Sequence, residues 1–571
     1  MFHDLYTPEG SHLAEPPWQV YPRPQLRRDS FLCLNGWWEF AVGQGDAPPA
    51  TYPDRIRVPF CPESLLSGIH RHFAEGSRLF YRRRFTLPQG FVRGRVLLHI
   101  GAADQVLDCF CNGVALGRHT GGYTAMTFDL TNALKQDNEL VLRVRDDLRT
   151  PVLPYGKQVL QRGGMWYTPV SGIWQTVWLE SVPQRYIRQL TIRTDTRRAV
   201  LDTGDPGLSG RVTVETPEGP VVCPLVQGRA EFLPETPRLW SPEDPYLYRC
   251  RIQAGADLAD SYFALRQIDI RQVDGCARLC LNGQPRFFHG VLDQGYWSDG
   301  LYTPADPSCY EKDILAMKSL GFNTLRKHIK VEPEEFYYQC DRLGMVVFQD
   351  MVNTGDYAYW RDTVWPTLGF QTRRDDRRMH ADPAARAAFV QCMEETVAQL
   401  YSHPCILYWT IFNEGWGQFD SSALYARLRT LDPGRIIDST SGWFRGGDTD
   451  VDSIHHYYGP WRLKAGRRPL VLSEFGGCCL AVEGHLFHPG KTYGYSSSRS
   501  GAELTRVILQ LYEKRVLPAI PKGLCGAIYT QLSDVEDEVN GLLTYDRQVL
   551  KPQAAPLRAL AGRLHRAMAG H

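Results

Sequence analysis

At 571 residues the chain is too long for one hydrophobic core, and a length prior gives about three or four domains. Its 64 basic and 63 acidic residues nearly cancel, so neither nucleic acid nor an acidic membrane surface is implied as a partner. No uncharged apolar run of ~18 residues occurs, the N-terminus reads as no signal peptide, and the 15 cysteines are scattered without paired Cys-x-x-Cys spacing; this predicts a cytoplasmic chain with free thiols and no structural metal.

Residues 1–185 carry short alternating runs with little helical period, at 55–58, 79–85, 95–100 and 139–144. Asn35-Gly36 and Asn112-Gly113 are hairpin-type turns between such runs, and together they predict a β-sandwich. Residues 186–275, with strand-like runs at 211–215 and 246–252, have the size of an immunoglobulin-like sandwich. Aromatic residues reach 12% of the chain, which suits large sandwich cores and also platforms on which a sugar ring can stack.

From 276 to 571 the pattern changes. Strand-like runs at 286–291, 323–328, 346–350, 406–412, 435–440, 451–456, 469–474 and 524–531 alternate with amphipathic segments at 310–320, 333–343, 384–401, 423–431 and 502–516. Eight such units predict a (β/α)8 barrel. Two long loops, 356–378 and 476–500, fall on one rim, where loops of that length are usually functional.

The stretch from Cys405 to Gly417 organises this region. Its apolar run is short, β-branched and aromatic, as in a parallel strand buried on both faces, and it ends on Asn413-Glu414 before Gly415 and Gly417 break it. A carboxylate there faces the ligand crevice of an α/β fold, and burial would raise its pKa toward that of a general acid. Asn138-Glu139, by contrast, lies in a polar stretch with no such context. The seventh run repeats the design, ending on Glu474 before Gly476-Gly477. Barrel geometry sets these two strand ends across one cavity, where a glutamate pair can flank a glycosidic bond.

Other strand ends converge on the same rim: Arg326 and His328, Asp350, His455, His456 and Tyr457, and Tyr529 with Gln531. With Asn413 they make a ring suited to a polyhydroxylated ligand. Trp416 and Trp443, and also Trp360 and Trp365, are candidate walls of a pocket that would admit one terminal sugar. No phosphate loop, Ser-His-Asp set or metal-spaced histidine cluster competes.

Several motifs along the whole chain resemble glycoside hydrolase family 2, the group of β-galactosidases, β-glucuronidases and β-mannosidases. Leu34-Asn-Gly-Trp-Trp-Glu-Phe40, Phe80-Tyr-Arg-Arg-Arg-Phe85, Asn112-Gly113 with Gly121-Gly-Tyr123 and Phe128-Asp-Leu130, and Ser171-Gly-Ile-Trp-Gln-Thr-Val-Trp-Leu179 are similar to its jelly-roll sugar-binding domain. Leu239-Trp-Ser-Pro-Glu243 with Pro245-Tyr-Leu-Tyr248 resembles its central sandwich, and Asn323, Arg326, His328, Asn413-Glu414 and Ser473-Glu474-Phe-Gly476 its barrel. The resemblance implies a retaining mechanism with Glu414 as acid/base, Glu474 as nucleophile and Asn413 on the hydroxyl beside the reacting carbon. It implies no cofactor and a terminal β-glycoside as the partner, and it leaves a homo-oligomer open.

The chain also departs from the family. It has Arg326-Lys-His-Ile-Lys330 where Arg-x-Ser-His-x-Pro is frequent. The glucuronidase Asn-x-Lys motif would fall at Glu538-Val-Asn540, without its lysine. A neutral sugar, a β-galactoside first, is therefore the leading expectation. A β-uronide bound through Lys330 is the alternative, with Lys327 expected to point to the helices. A silent carbohydrate-binding protein would be expected to lose one carboxylate; a transglycosylase would share every residue.

Overall fold

The computed structural model describes residues 2–74, 76–147, 152–355, 357–358, 360–365, 375–444, 447–457 and 466–570. Two sandwiches precede a barrel. In the first, a six-stranded and a four-stranded sheet close on Trp38, Phe40, Tyr81, Leu98 and Leu142. In the second, a three-stranded and a four-stranded sheet close on Val212, Phe232, Tyr248 and Phe263. Strict alternation explains the second: Tyr248–Ala254 buries every other residue.

The barrel consists of eight parallel strands, β1 (Phe288–Asp293), β2 (Thr324–Lys327), β3 (Val346–Asp350), β4 (Ile406–Asn413), β5 (Ile436–Ser441), β6 (Asp452–His456), β7 (Leu470–Gly476) and β8 (Leu524–Thr530). Hydrogen-bonded pairing runs from β5 through β4, β3, β2, β1, β8 and β7 to β6. Ser453 on β6 closes the ring by donating to the Asp438 Oδ1 of β5 at 2.9 Å. All eight residues of β4 are buried, as expected of a strand with side chains inside the barrel and helices outside.

The helices Ser308–Ser319, Glu334–Leu343, Pro383–Leu400, Ser421–Leu431 and Gly501–Leu511 stand where the amphipathic segments fall. Asp382 caps Pro383–Leu400 by accepting from Ala384 N at 2.8 Å, and proline occupies the first turn, where its missing N–H costs nothing. A further helix, Ala554–Met568, buries Leu557, Leu560, Ala561, Leu564 and Met568 on one face. No described helix is long and apolar enough to cross a membrane, and all fifteen cysteines are unpaired thiols.

The first sandwich reaches across the barrel mouth through residues 152–171. Tyr155 Oη donates to Gly355 O at 2.8 Å, Thr168 N to Glu536 Oε1 at 2.9 Å, and Arg162 to Glu536 and Asp537 at 3.0 Å each. This segment is thereby fixed to the loops that follow β3 and β8.

Candidate active site

The end of β4 builds the first half of the site. Glu414 leaves the strand with φ +51°, a left-handed conformation that costs a non-glycine residue about 1–3 kcal/mol and is held here by Glu414 N donating to Ser441 O at 2.9 Å. Gly415 follows at φ +76°, and a Cβ there would lie 2.3 Å from the Phe444 ring, so only glycine permits the turn. The end of β7 builds the second half. A register shift between Ile454 and His455 in the β6–β7 pairing sets His455 opposite Glu474. Such irregularities re-aim side chains beside functional sites.

An oxygen of Glu414, an oxygen of Glu474 and a nitrogen of His455 all lie within 4.8 Å of one another. His455 Nδ1 is 2.7 Å from Glu414 Oε1 and 3.5 Å from Glu474 Oε2. Arg326 Nη1, which can only donate, approaches His455 Nε2 at 3.4 Å. His455 Nε2 also lies 3.1 Å from Ser441 Oγ, which donates to Ser473 Oγ at 2.9 Å. Burial pushes the imidazole down to about 4, so it is neutral near pH 7.

The two carboxyl groups are unlike. Burial lifts Glu414 to about 7, against the opposing pull of Lys157 and Arg326. Glu474 is raised too, first by burial and also by Glu414, but it accepts from Tyr457 Oη at 2.7 Å and from Arg326 Nη1 at 3.1 Å. Both bonds favour its charged form. The set Glu414, His455 and Glu474 also has the spacing to ligate a cation. The positive charges of Arg326 and Lys157 beside it oppose such capture.

Arg326 is a positioning residue. Its guanidinium donates to Asp350 Oδ1 (3.0 Å), Ser473 O (3.0 Å), Glu474 Oε1 (3.1 Å) and Asn413 Oδ1 (2.8 Å), which places four of its five N–H donors on protein. Asp350 receives Arg326 on one oxygen and His328 Nδ1, at 2.7 Å, on the other. Burial would raise Asp350, but Arg326 and His328 outweigh it and the net shift is downward. Arg326 and Asp350, expected on the substrate, thus have their polar atoms committed to the scaffold. Asn413, with Oδ1 fixed by Arg326, leaves its buried Nδ2 without a partner among the described residues.

The aromatic residues divide. Trp443 donates to Glu414 O at 3.1 Å and stands 5.4 Å from His455. Trp416 is buried with its indole N–H unpartnered, 6.3 Å from His328. Tyr457 stacks on Tyr495, at 4.1 Å, from the 476–500 loop. Trp360 and Trp365 are 66% and 48% exposed and do not line the buried centre; positions 356, 359 and 366–374 of that loop lie outside the described residues.

Tyr529 belongs elsewhere. Its Oη accepts from Cys478 N at 3.2 Å and its ring packs on Phe475, which meets Tyr512 of the outer layer. Strand alternation gives the cavity side to Thr530 instead, whose Oγ1 is 2.9 Å from Tyr457 Oη. Gln531 donates to Asn540 Oδ1 at 2.8 Å, in the loop after β8.

The lysines also differ from expectation. Lys330 Nζ is saturated by Gly295 O (2.6 Å), Tyr302 O (2.8 Å) and Glu332 Oε1 (3.0 Å), so the cation expected to meet a uronate is a scaffold group. Lys327 is held by Asp293 and Glu332 over the ring of Phe336, on the helix side. Lys157, from the sandwich, lies over Trp416 at 4.5 Å. Nothing in its sequence surroundings marks it: it follows no strand end, and the nearest family-like motif begins at Ser171.

The model described as "Glycosyl hydrolases family 2, TIM barrel domain" matches residues 272–565, and the chain belongs to glycoside hydrolase family 2. It is 28% identical over 417 residues to a β-galactosidase of Aeromonas hydrophila, covering 67% of this chain but 37% of that protein. It is 23% identical over 506 residues to the β-glucuronidase of Felis catus, covering 76% of this chain and 73% of that one. A solved β-glucuronidase from an uncultured Clostridium superposes with a TM-score of 0.74 at 19% identity, over 96% of this chain and 100% of that chain. The chain thus spans well under half of the β-galactosidase it matches.

Proposed function

We propose that the chain is a retaining, exo-acting β-glycosidase. Glu474 attacks the anomeric carbon while Glu414 protonates the departing oxygen; Glu414, then ionised, takes a proton from the water that releases the sugar from Glu474. The carrying observation is the tight Glu414–His455–Glu474 cluster, whose ligand atoms lie within 4.8 Å. An inverting pair needs roughly 6.5–9.5 Å to admit a water between its carboxyl groups. The asymmetry of the two carboxyl environments suits the two roles, and Asn413 Nδ2 supplies a donor for a sugar hydroxyl.

The test is a time-resolved NMR assay of hydrolysis. The first-formed sugar is expected as the β-anomer, with Glu474 carrying a covalent adduct after treatment with an activated 2-deoxy-2-fluoro glycoside. A first-formed α-anomer would refute the double displacement. Fast loss of viscosity from a polysaccharide with little free monosaccharide would refute exo action.

Relatives named β-galactosidase and β-glucuronidase support a terminal galactoside and a terminal uronide alike. One observation favours the uronide: Lys157, a buried cation without a carboxylate partner within ion-pair distance among the described residues, lies over Trp416, two residues beyond Glu414.

A further inference from the structure

The buried cations at the barrel mouth show which charge is still available. Arg326 is spent on Asp350, Glu474, Asn413 and a carbonyl; Lys327 on Asp293 and Glu332; Lys330 on Glu332 and two carbonyls; Arg162 on Glu536 and Asp537. Each is neutralised within the scaffold. Lys157 is not. Its Nζ, with three donors to place, has one hydrogen bond, to Met165 O at 3.3 Å. Its other neighbours are ring faces, Trp416 at 4.5 Å, Trp166 at 5.5 Å and Tyr167 at 6.0 Å. Glu538, the acidic group whose field acts most strongly on it, already accepts from Tyr167 Oη and from Asn540 Nδ2.

The position is built rather than accidental. Gly156 precedes Lys157 at φ +69°, and a Cβ there would lie 2.7 Å from Tyr123 Oη and 3.2 Å from Ile329 O. Tyr155 N donates to Asn353 O at 3.2 Å on one side, and Tyr167 N to Lys157 O at 3.0 Å on the other. Around the ammonium the buried polar atoms without partners are mainly donors. Trp416 Nε1 and Trp166 Nε1 belong to indoles 5.1 Å apart, and the Asn353 amide is open at both ends. An indole N–H can only donate. An ammonium and two unpaired indoles at one spot suit an acceptor that carries negative charge.

We infer that Lys157, delivered by the sandwich domain, recognises the carboxylate that a terminal uronic acid carries at C5, and so sets the sugar class taken by the barrel. This rests on the glycosidase reading of Glu414 and Glu474. In a pyranose, C5 is separated from the anomeric carbon only by the ring oxygen. A cation that serves the C5 substituent must therefore lie near the carboxylate pair, and Lys157 is seated on Trp416, two residues beyond Glu414. Lys157 also acts on both glutamates through its field. A neutral sugar would leave the ammonium buried without an anion. A charge-assisted contact to a uronate gives about ten- to a hundredfold in affinity.

Calorimetric titration of the full chain with D-galacturonate, D-glucuronate, D-galactose and D-glucose reads this without requiring turnover. At least one acid is expected to bind tenfold or more tightly than its neutral counterpart. In Lys157→Met, and equally in Lys157→Gln, that ratio is expected to fall below threefold. A wild-type chain with no preference for either acid overturns the inference whatever the variants do, and so does a preference that survives both substitutions. Parallel assays on p-nitrophenyl β-galacturonide, β-glucuronide and β-galactoside separate the two readings. No turnover of any glycoside, with the Lys157-dependent acid preference intact, would remove the glycosidase function and leave the recognition standing.

Discussion

The barrel mouth has two unlike sides. The ends of β4 and β7 carry Glu414 and Glu474, desolvated and held by a neutral His455, by Tyr457 and by Arg326. The other side, made of the end of β2, the turn after it and residues 152–171, carries three buried lysines. On the first side, position along the strand foretells the role. On the second it does not. Lys330, three residues beyond β2, is locked by one carboxylate and two carbonyls, while Lys157, from another domain, keeps most of its donor capacity. Burying an ammonium is costly unless acceptors surround it, so the acceptors present, and not nearness to the rim, decide whether a cation belongs to the scaffold or to a ligand.

The largest expected effect lies on the carboxylate side. Glu474→Gln removes the proposed nucleophile at nearly constant volume, and kcat should fall by roughly 10⁴-fold or more for uronides and neutral glycosides alike. Substantial turnover in a verified preparation would take Glu474 out of that role and dissolve the distinction between the sides.

Glu414→Gln should act through the leaving group. With a poorly activated aglycone the loss is about 10²–10⁴-fold; with dinitrophenolate, which needs no proton, the first step should be nearly spared. Protonation also sets the pH dependence. Glu414 must hold its proton to act as acid, and its carboxyl titrates at about 7. The wild-type kcat/KM should therefore decline about tenfold per unit above that pH, and the decline should vanish in Glu414→Gln with the activated substrate. An unchanged alkaline limb in that variant would assign it to another group.

Lys330→Met sharpens the other side. It strips Glu332, Gly295 O and Tyr302 O of a donor, and losing one member of a buried ion pair costs about 3–5 kcal/mol. A lower melting temperature is expected, with the ratio of acid to neutral sugar affinity unmoved. A shifted ratio at unchanged stability would return Lys330 to the substrate.

The smallest contrast separates Tyr529 on β8 from Tyr457, the residue after β6. Tyr529→Phe loses one hydrogen bond, to Cys478 N, worth about 0.5–1.5 kcal/mol of stability, and should change kcat/KM by less than about threefold. Tyr457→Phe removes the 2.7 Å donor to Glu474 and should cost about ten- to a hundredfold in kcat. Equal effects from the two would mean that Tyr529 faces the cavity after all.

The sequence by itself determined the barrel. Each of the eight strands observed lies within two residues of a run read from the sequence; the clearest, β4, is buried on both faces, mostly apolar through Phe412, and stops where polar groups meet the crevice. The same rule made Asn413-Glu414 and Glu474 legible as strand-end carboxylates. What lay beyond it was contact between segments distant in the chain. Alternation alone could have given Thr530 in place of Tyr529. No local pattern could show that Arg326 and Asp350 satisfy each other, that Glu332 and two carbonyls consume Lys330, or that the sandwich carries Lys157 onto Trp416. Those outcomes depend on which donors and acceptors are desolvated together, and only the tertiary structure decides that.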